Sequence, residues 1–192
     1  MQLEQATEFI TELLQNRLSD LMYYHDYHHT NNVLNAATEL AAEENVVDEH
    51  ELLLLKTAAL FHDAGYLYTN ENHEEESCRI VREHLPDFGY SVNDIEMICG
   101  LIMKTKMPQS PETLLEKILC DADLDYLGSD DFEINGQKLF KEWTAMGKLS
   151  NKEEWDKAQI KFLESHSYWT KSAGEKRDQK KLEHLRKLKF GH

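Results

Sequence analysis

Glycine and proline are scarce, eight and three in 192 residues, and runs of alternating β-branched residues are missing. A β-sandwich or barrel needs both turn residues and alternation, so the sparseness argues against either. The three cysteines, Cys78, Cys99 and Cys120, are odd in number, far apart and contain no C-x-x-C pair, which excludes a disulfide framework or a thiolate zinc knot and leaves buried free thiols. Basic charge is short: 21 Lys and Arg face 36 Asp and Glu, for a net charge of −15, a balance that disfavours duplex nucleic acid as a partner. No apolar run approaches the roughly 18 residues that cross a bilayer. The opening segment MQLEQATEFITELLQNRL has neither a basic n-region nor a continuous apolar h-region, so it reads as an amphipathic helix and not as an export signal. The expectation is a soluble, cytoplasmic chain with no membrane partner.

What is present is helical periodicity. Phe9, Ile10, Leu13, Leu14 and Leu21 form one stripe, and Val33, Leu34, Ala37, Leu40 and Ala41 a second. The leucine-rich stretch from about 50 to 63 predicts a helix buried nearly all round. Ile95, Ile98, Cys99 and Ile102 make a further stripe, as do Leu114, Leu115, Ile118 and Leu119, and then Leu139, Phe140, Trp143 and Met146. The fold class is therefore all-α, and 192 residues suit one domain, since at this size about 70% of the unfolded surface can be buried. Asp48 with Glu51 and Ser150 with Glu153 predict helix starts, and Ser110-Pro111 predicts another. Gly65 is expected to end the leucine helix in the left-handed conformation, and GSDDFEING, 128 to 136, reads as a polar loop.

Charge is unevenly spread. Residues 171–192 hold eight Lys or Arg against three Asp or Glu, so the acidic excess lies in residues 1–170. Leu182, Leu185 and Leu188 recur at helical spacing within the basic end. The expected organisation is a helical domain over 1–170 with a basic C-terminal helix, 171–192, docking on it; RNA binding by that end is the rival reading, and self-association is left open.

Chemistry concentrates where LLLLKTAALF ends on His62 and Asp63. Both are expensive to bury, and coordination of a cation is one way to pair them. Upstream, YYHDYHHT offers His25, His28 and His29; downstream, ILCDADLDYLG offers Asp121, Asp123 and Asp125. Glu74-Glu75-Glu76 reads as a solvated first helical turn.

Tyr24-His25-Asp26-Tyr27-His28-His29, His62-Asp63 and the carboxylates of CDADLDYLG together resemble the H...HD...D signature of the HD-domain metal-dependent phosphohydrolase superfamily, over roughly residues 22 to 130. The resemblance implies a single-domain helical bundle of the HD-domain type and hydrolysis of a phosphoester, a small nucleotide or related compound. It implies His29, His62, Asp63 and Asp123 as metal ligands, with Asp121 the alternative to Asp123. The YHDYHH run is similar to the Y-H-N-x-x-H run of the phosphodiesterase branch, which makes His25 the acid that protonates the leaving group; Asp26 departs from the Asn of that run, and a carboxylate there can raise the pKa of His25. Catalysis then falls to His25 and Asp63. His73 corresponds to a position that contacts substrate or a second metal in some members, and Lys104, Thr105 and Lys106 stand where two-metal members supply another histidine. One divalent ion is therefore expected, Mn, Fe, Co, Ni, Zn or Mg, with Lys104 and His73 serving the substrate. An ion in such a mixed nitrogen and oxygen set acidifies bound water for attack on phosphorus. The competing reading is a regulatory module that binds metal and nucleotide without turnover.

Overall fold

The computed structural model describes residues 1–191; residue 192, the last of the basic segment, lies outside the described residues. Among those described, the chain is all-helical: α1 (Leu3–Arg17), α2 (Tyr27–Glu43), α3 (Glu49–Phe61), α4 (His73–His84), α5 (Val92–Thr105), α6 (Leu114–Asp123), α7 (Phe132–Ala145), α8 (Lys152–Ser165) and α9 (Lys171–Phe190), with 3-10 turns at Ala64–Leu67, Leu85–Phe88 and Asp125–Gly128. No helix is long and apolar enough to cross a membrane.

Helix α3 is the axis. Leu54, Leu55, Ala58, Ala59 and Phe61 are all fully buried, and α1, α2, α5 and α6 pack round it. From Leu54 on, all of the helix but Lys56 is buried, so its neighbours must enclose that stretch, while its first turn, Glu49 to Glu51, faces solvent. Smaller apolar clusters bring α7 and α8 against the 24 to 27 and 124 to 127 segments: Tyr24 with Leu139 and Trp155, and Leu127 with Phe132 and Leu163. The three cysteines are buried and free.

Local starts follow side-chain chemistry, not always where the sequence pattern put them. Asp48 caps α3 through the amides of His50 and Glu51. Helix α6 starts at Thr113 and not at Ser110-Pro111: Thr113 and Glu116 form a reciprocal capping box, and Glu116 also accepts from the Glu112 amide. Two satisfied amides outweigh the preset φ of a proline. Helix α8 is capped by Asn151, one residue after Ser150. The stretch 128 to 136 is half helix, because α7 begins at Phe132, whose ring is buried.

Gly65 does not adopt a positive φ. Its role is close approach: a Cβ there would lie 1.9 Å from the His73 carbonyl oxygen. The turn after α3 is pressed onto the start of α4, and Ser77 fixes it by donating to the His62 carbonyl at 2.7 Å while accepting from the Gly65 amide at 2.8 Å.

The basic helix α9 lies against acidic groups of the rest of the chain. Lys176 pairs with Glu39 and Glu43, Arg177 with Asp125, Lys180 with Asp130 and Lys189 with Glu164. Leu185 and Leu188 pack on the Leu127, Phe132 and Leu163 cluster, whereas Leu182 is exposed.

Gly65→Ala is expected to destabilise the fold by about 2–3 kcal/mol, since backbone must move to admit one methyl group. Urea unfolding at neutral pH measures it; an unchanged midpoint would mean that the α3–α4 contact is looser than described.

Candidate metal centre

Three elements deliver the candidate ligands. His29 stands in the first turn of α2, whose start is set by Asp26: its carboxylate accepts from the His29 amide at 2.9 Å. Asp26 is thus a helix cap and does not serve His25. His62 and Asp63 follow the last turn of α3, and Asp123 closes α6.

Their polar atoms converge. His29 Nε2 lies 3.3 Å from His62 Nε2, 3.3 Å from Asp63 Oδ2 and 3.2 Å from Asp123 Oδ1. His62 Nε2 is 3.1 Å from Asp63 Oδ2 and 3.4 Å from Asp123 Oδ1. His62 Nδ1 donates to the Ala59 carbonyl at 2.8 Å, so in the neutral ring Nε2 presents a lone pair to the others. Asp63 Oδ2 is buried and accepts no hydrogen bond. A carboxylate oxygen buried without a donor is costly unless a cation sits beside it. Separations of this size suit donors sharing an ion at about 2.1 Å, so His29, His62 and Asp123, whose ligand atoms all lie within 4.8 Å of one another, fit a divalent metal, with Asp63 Oδ2 against both imidazoles.

The electrostatics agree. Burial pushes the Asp63 carboxyl up, but His62, His29 and His73 outweigh it and hold the group well below its usual value. Burial likewise lowers His62, and Asp63 with Asp123 more than reverses that, carrying it well above the ordinary imidazole range. The pocket favours positive charge wherever it can be placed.

Asp121, two residues before Asp123, points elsewhere. Its oxygens accept from the Trp169 amide at 2.8 Å and from the Thr170 amide and hydroxyl, each at 2.7 Å. A ten-residue helix separates i and i+2 by more than half a turn, which sends the two carboxylates to different faces.

His73 Nε2 lies 3.3 Å from Asp63 Oδ1, and its ring stacks on Tyr66 at 4.0 Å. His25 covers the other face of Tyr66 at 4.5 Å. Beside His73, Glu74 is buried and not solvated, its Oε1 3.4 Å from His73 Nε2. His28 is exposed. Lys104 is not brought to the site: its ammonium holds the Ser110 carbonyl and Glu112. Lys106 pairs with Glu75 and Asn72.

Two site residues carry no local sequence signal. Glu142 on α7 is fully buried; it accepts from His25 Nδ1 and from the amides of Tyr24 and His25. Burial raises its carboxyl, but these donors outweigh it and hold it below the ordinary 4.5. An ionised Glu142 can only accept, so His25 carries its proton on Nδ1 and keeps Nε2 for other partners. Lys148 lines the cavity of about 290 Å³ above the centre. That cavity is floored by Asp63, His73, Glu74 and Asp123 and walled by Leu124, Phe132, Leu139, Trp143, Trp155 and Phe162. Lys148 is the one Lys or Arg among its lining residues, its ammonium 6.0 Å from the centre of the Trp143 ring.

The HD domain family matches over residues 26–125. Among solved structures, the chain is similar to a "predicted HD superfamily hydrolase" from an uncultured Thermotogales bacterium, with 22% identity, a TM-score of 0.63, and coverage of 97% of this chain and 88% of that one. It is also similar to Bacillus subtilis YpgQ, at 22% identity and a TM-score of 0.65, and to YpgQ in complex with ADP, at 20% identity and a TM-score of 0.65; each covers 98% of this chain and 96% of that one. No curated protein matches.

Two outcomes are expected. His62→Ala should weaken Mn(II) affinity by more than the roughly 10- to 100-fold typical of outer-sphere changes, read by calorimetry on the purified chain. Glu142→Gln should cost about 1–3 kcal/mol at pH 7. Because the native carboxyl is depressed, its contribution is complete above the unfolded value and disappears as pH falls through the native one. The gap between variant and wild type in urea unfolding should therefore narrow from pH 7 to pH 3; a gap that widens would mean Glu142 is buried protonated.

Proposed function

This chain belongs to the HD domain family, and from that membership we propose that it is a metal-dependent phosphohydrolase acting on a small nucleotide or related phosphoester. The observation that carries the reading is the buried convergence of His29, His62, Asp63 and Asp123, with Asp63 Oδ2 accepting no hydrogen bond.

These four residues would hold one divalent ion, and His73, occupied with Asp63 and Glu74, is kept for substrate. When bound, the ion supplies Lewis acidity and lowers the pKa of water beside it. The chain's own groups do the rest. Glu142 fixes the His25 tautomer and stabilises the ring when it is charged, as a carboxylate behind a catalytic imidazole does. His25 Nε2 then protonates the departing oxygen. Asp63, ionised and acceptor-only, would orient the attacking water by accepting its hydrogen bond. Lys148, at the cavity wall, offers the charge for a phosphoryl oxygen in place of Lys104, whose ammonium is taken by the Ser110 carbonyl and Glu112. The aromatic and aliphatic wall excludes water and accepts an organic group, and the ADP bound to the similarly folded YpgQ supports a nucleotide as that group.

Hydrolysis of phosphomonoesters, cyclic nucleotides and nucleoside di- and triphosphates with added Mn(II) or Co(II) tests the proposal. Cleavage of none of them, with a nucleotide still bound, would leave a regulatory module instead. His25→Ala should leave metal in place and slow turnover by about 10²- to 10⁴-fold with poor leaving groups and far less with good ones. Equal slowing across the series removes the acid role.

A further inference from the structure

Asp123 is the ligand with the least support of its own. It is the last residue of α6, it is 19% exposed at the side chain, and among the described residues its carboxylate has polar contacts with His29 and His62 alone. Helix ends fray. What holds this one lies about fifty residues further on.

We propose that α9 is a working part of the metal centre, in which Thr170 and Arg177 are positioning residues that clamp the turn on both sides of Asp123 and aim its carboxylate at His29 and His62. The proposal rests on the metal reading above and extends it beyond the family segment, which ends at residue 125 while α9 starts at 171.

Two residues before Asp123, the fully buried Asp121 accepts from the Thr170 hydroxyl and amide and the Trp169 amide. Thr170 in turn caps α9 by accepting from the Ala173 amide at 3.3 Å, so one side chain ties the helix start to the α6 end. Two residues after Asp123, Arg177 grips Asp125 with a fork, Nε to Oδ1 and Nη2 to Oδ2, both 2.7 Å. Between the anchors, the Tyr168 hydroxyl donates to the Leu124 carbonyl at 3.4 Å. Gly128 closes the contact: a Cβ there would stand 2.3 Å from the Arg177 carbonyl oxygen, so the turn lies directly on the α9 backbone. A bidentate fork fixes direction as well as distance, and a buried carboxylate with three donors cannot rotate without losing them. With Asp121 and Asp125 both immobilised, Asp123 has little freedom left. Lys176, one residue before Arg177, pairs with Glu39 and Glu43 on α2 and touches none of this. It supplies the control.

Mn(II) titration calorimetry on the full chain, with thermal unfolding in EDTA, tests the proposal. Thr170→Val and Arg177→Met should weaken Mn(II) affinity by about 10- to 100-fold, the range for residues that orient a ligand. Thr170→Ser should restore it, and Lys176→Ala should leave it unchanged. Should Arg177→Met fail to fold, Arg177→Lys keeps the charge without the fork and must still bind Mn(II) more weakly than Lys176→Ala. Unchanged affinity in folded Thr170→Val and Arg177→Lys, with binding abolished by His62→Ala, overturns the clamp and leaves the metal reading standing. A wild-type chain that takes up no Mn(II) overturns the metal reading and the clamp together.

Discussion

Two imidazoles and two carboxylates turned toward one another beneath an apolar cavity form the constraint on which the molecule depends. The protein's own hydrogen bonds do not satisfy the set: His62 is fully buried, Asp63 Oδ2 is buried without a donor among the described residues, and the ring nitrogens of His29 and His62 face each other at 3.3 Å. Such an arrangement persists only if the surrounding structure imposes it and a cation rewards it. The imposition is visible throughout. The leucine helix α3 cannot shift without exposing its sides, Ser77 pins the turn after it, and Gly65 lets α4 approach within contact of that turn.

Around this centre the charges are arranged by element. The candidate site is rich in carboxylates, and eight of the chain's 21 Lys and Arg lie in α9, where several of them pair with acids on α2, the 125 to 130 segment and α8. Exposed pairs of this kind add little individually. The Arg177 fork differs because it is partly buried and bidentate, which gives it direction. The cavity itself is poor in cations, with Lys148 the one Lys or Arg among its lining residues.

The legible part of the site was that with a local signature. His29, His62-Asp63 and Asp123 stand out because each ends or begins an apolar helix and because their order resembles a family signature; the structure brings these four side chains together. Glu142 had no such mark. It sits in a stripe whose other members, Leu139 and Trp143, advertise only an amphipathic helix, and nothing along the chain couples it to His25, more than a hundred residues away. Asp26 was the nearer carboxylate and took the role by proximity; the α2 amides claimed it instead. Lys104 drew attention through sequence position alone, and its ammonium is held by the Ser110 carbonyl and Glu112.

By itself, then, the order of residues determined the all-helical class, the buried α3 and the free thiols, because periodicity and residue type act over a few turns and need no partner; the candidate ligands were legible through the resemblance to a family signature. Only the tertiary structure decided between Asp121 and Asp123, assigned Glu142 to His25, put Lys148 rather than Lys104 at the cavity, and laid α9 against the ligand turn. Each of those outcomes depends on which face of one helix meets which face of another, and direction across a packed interface is a property of three dimensions that spacing along a chain does not encode.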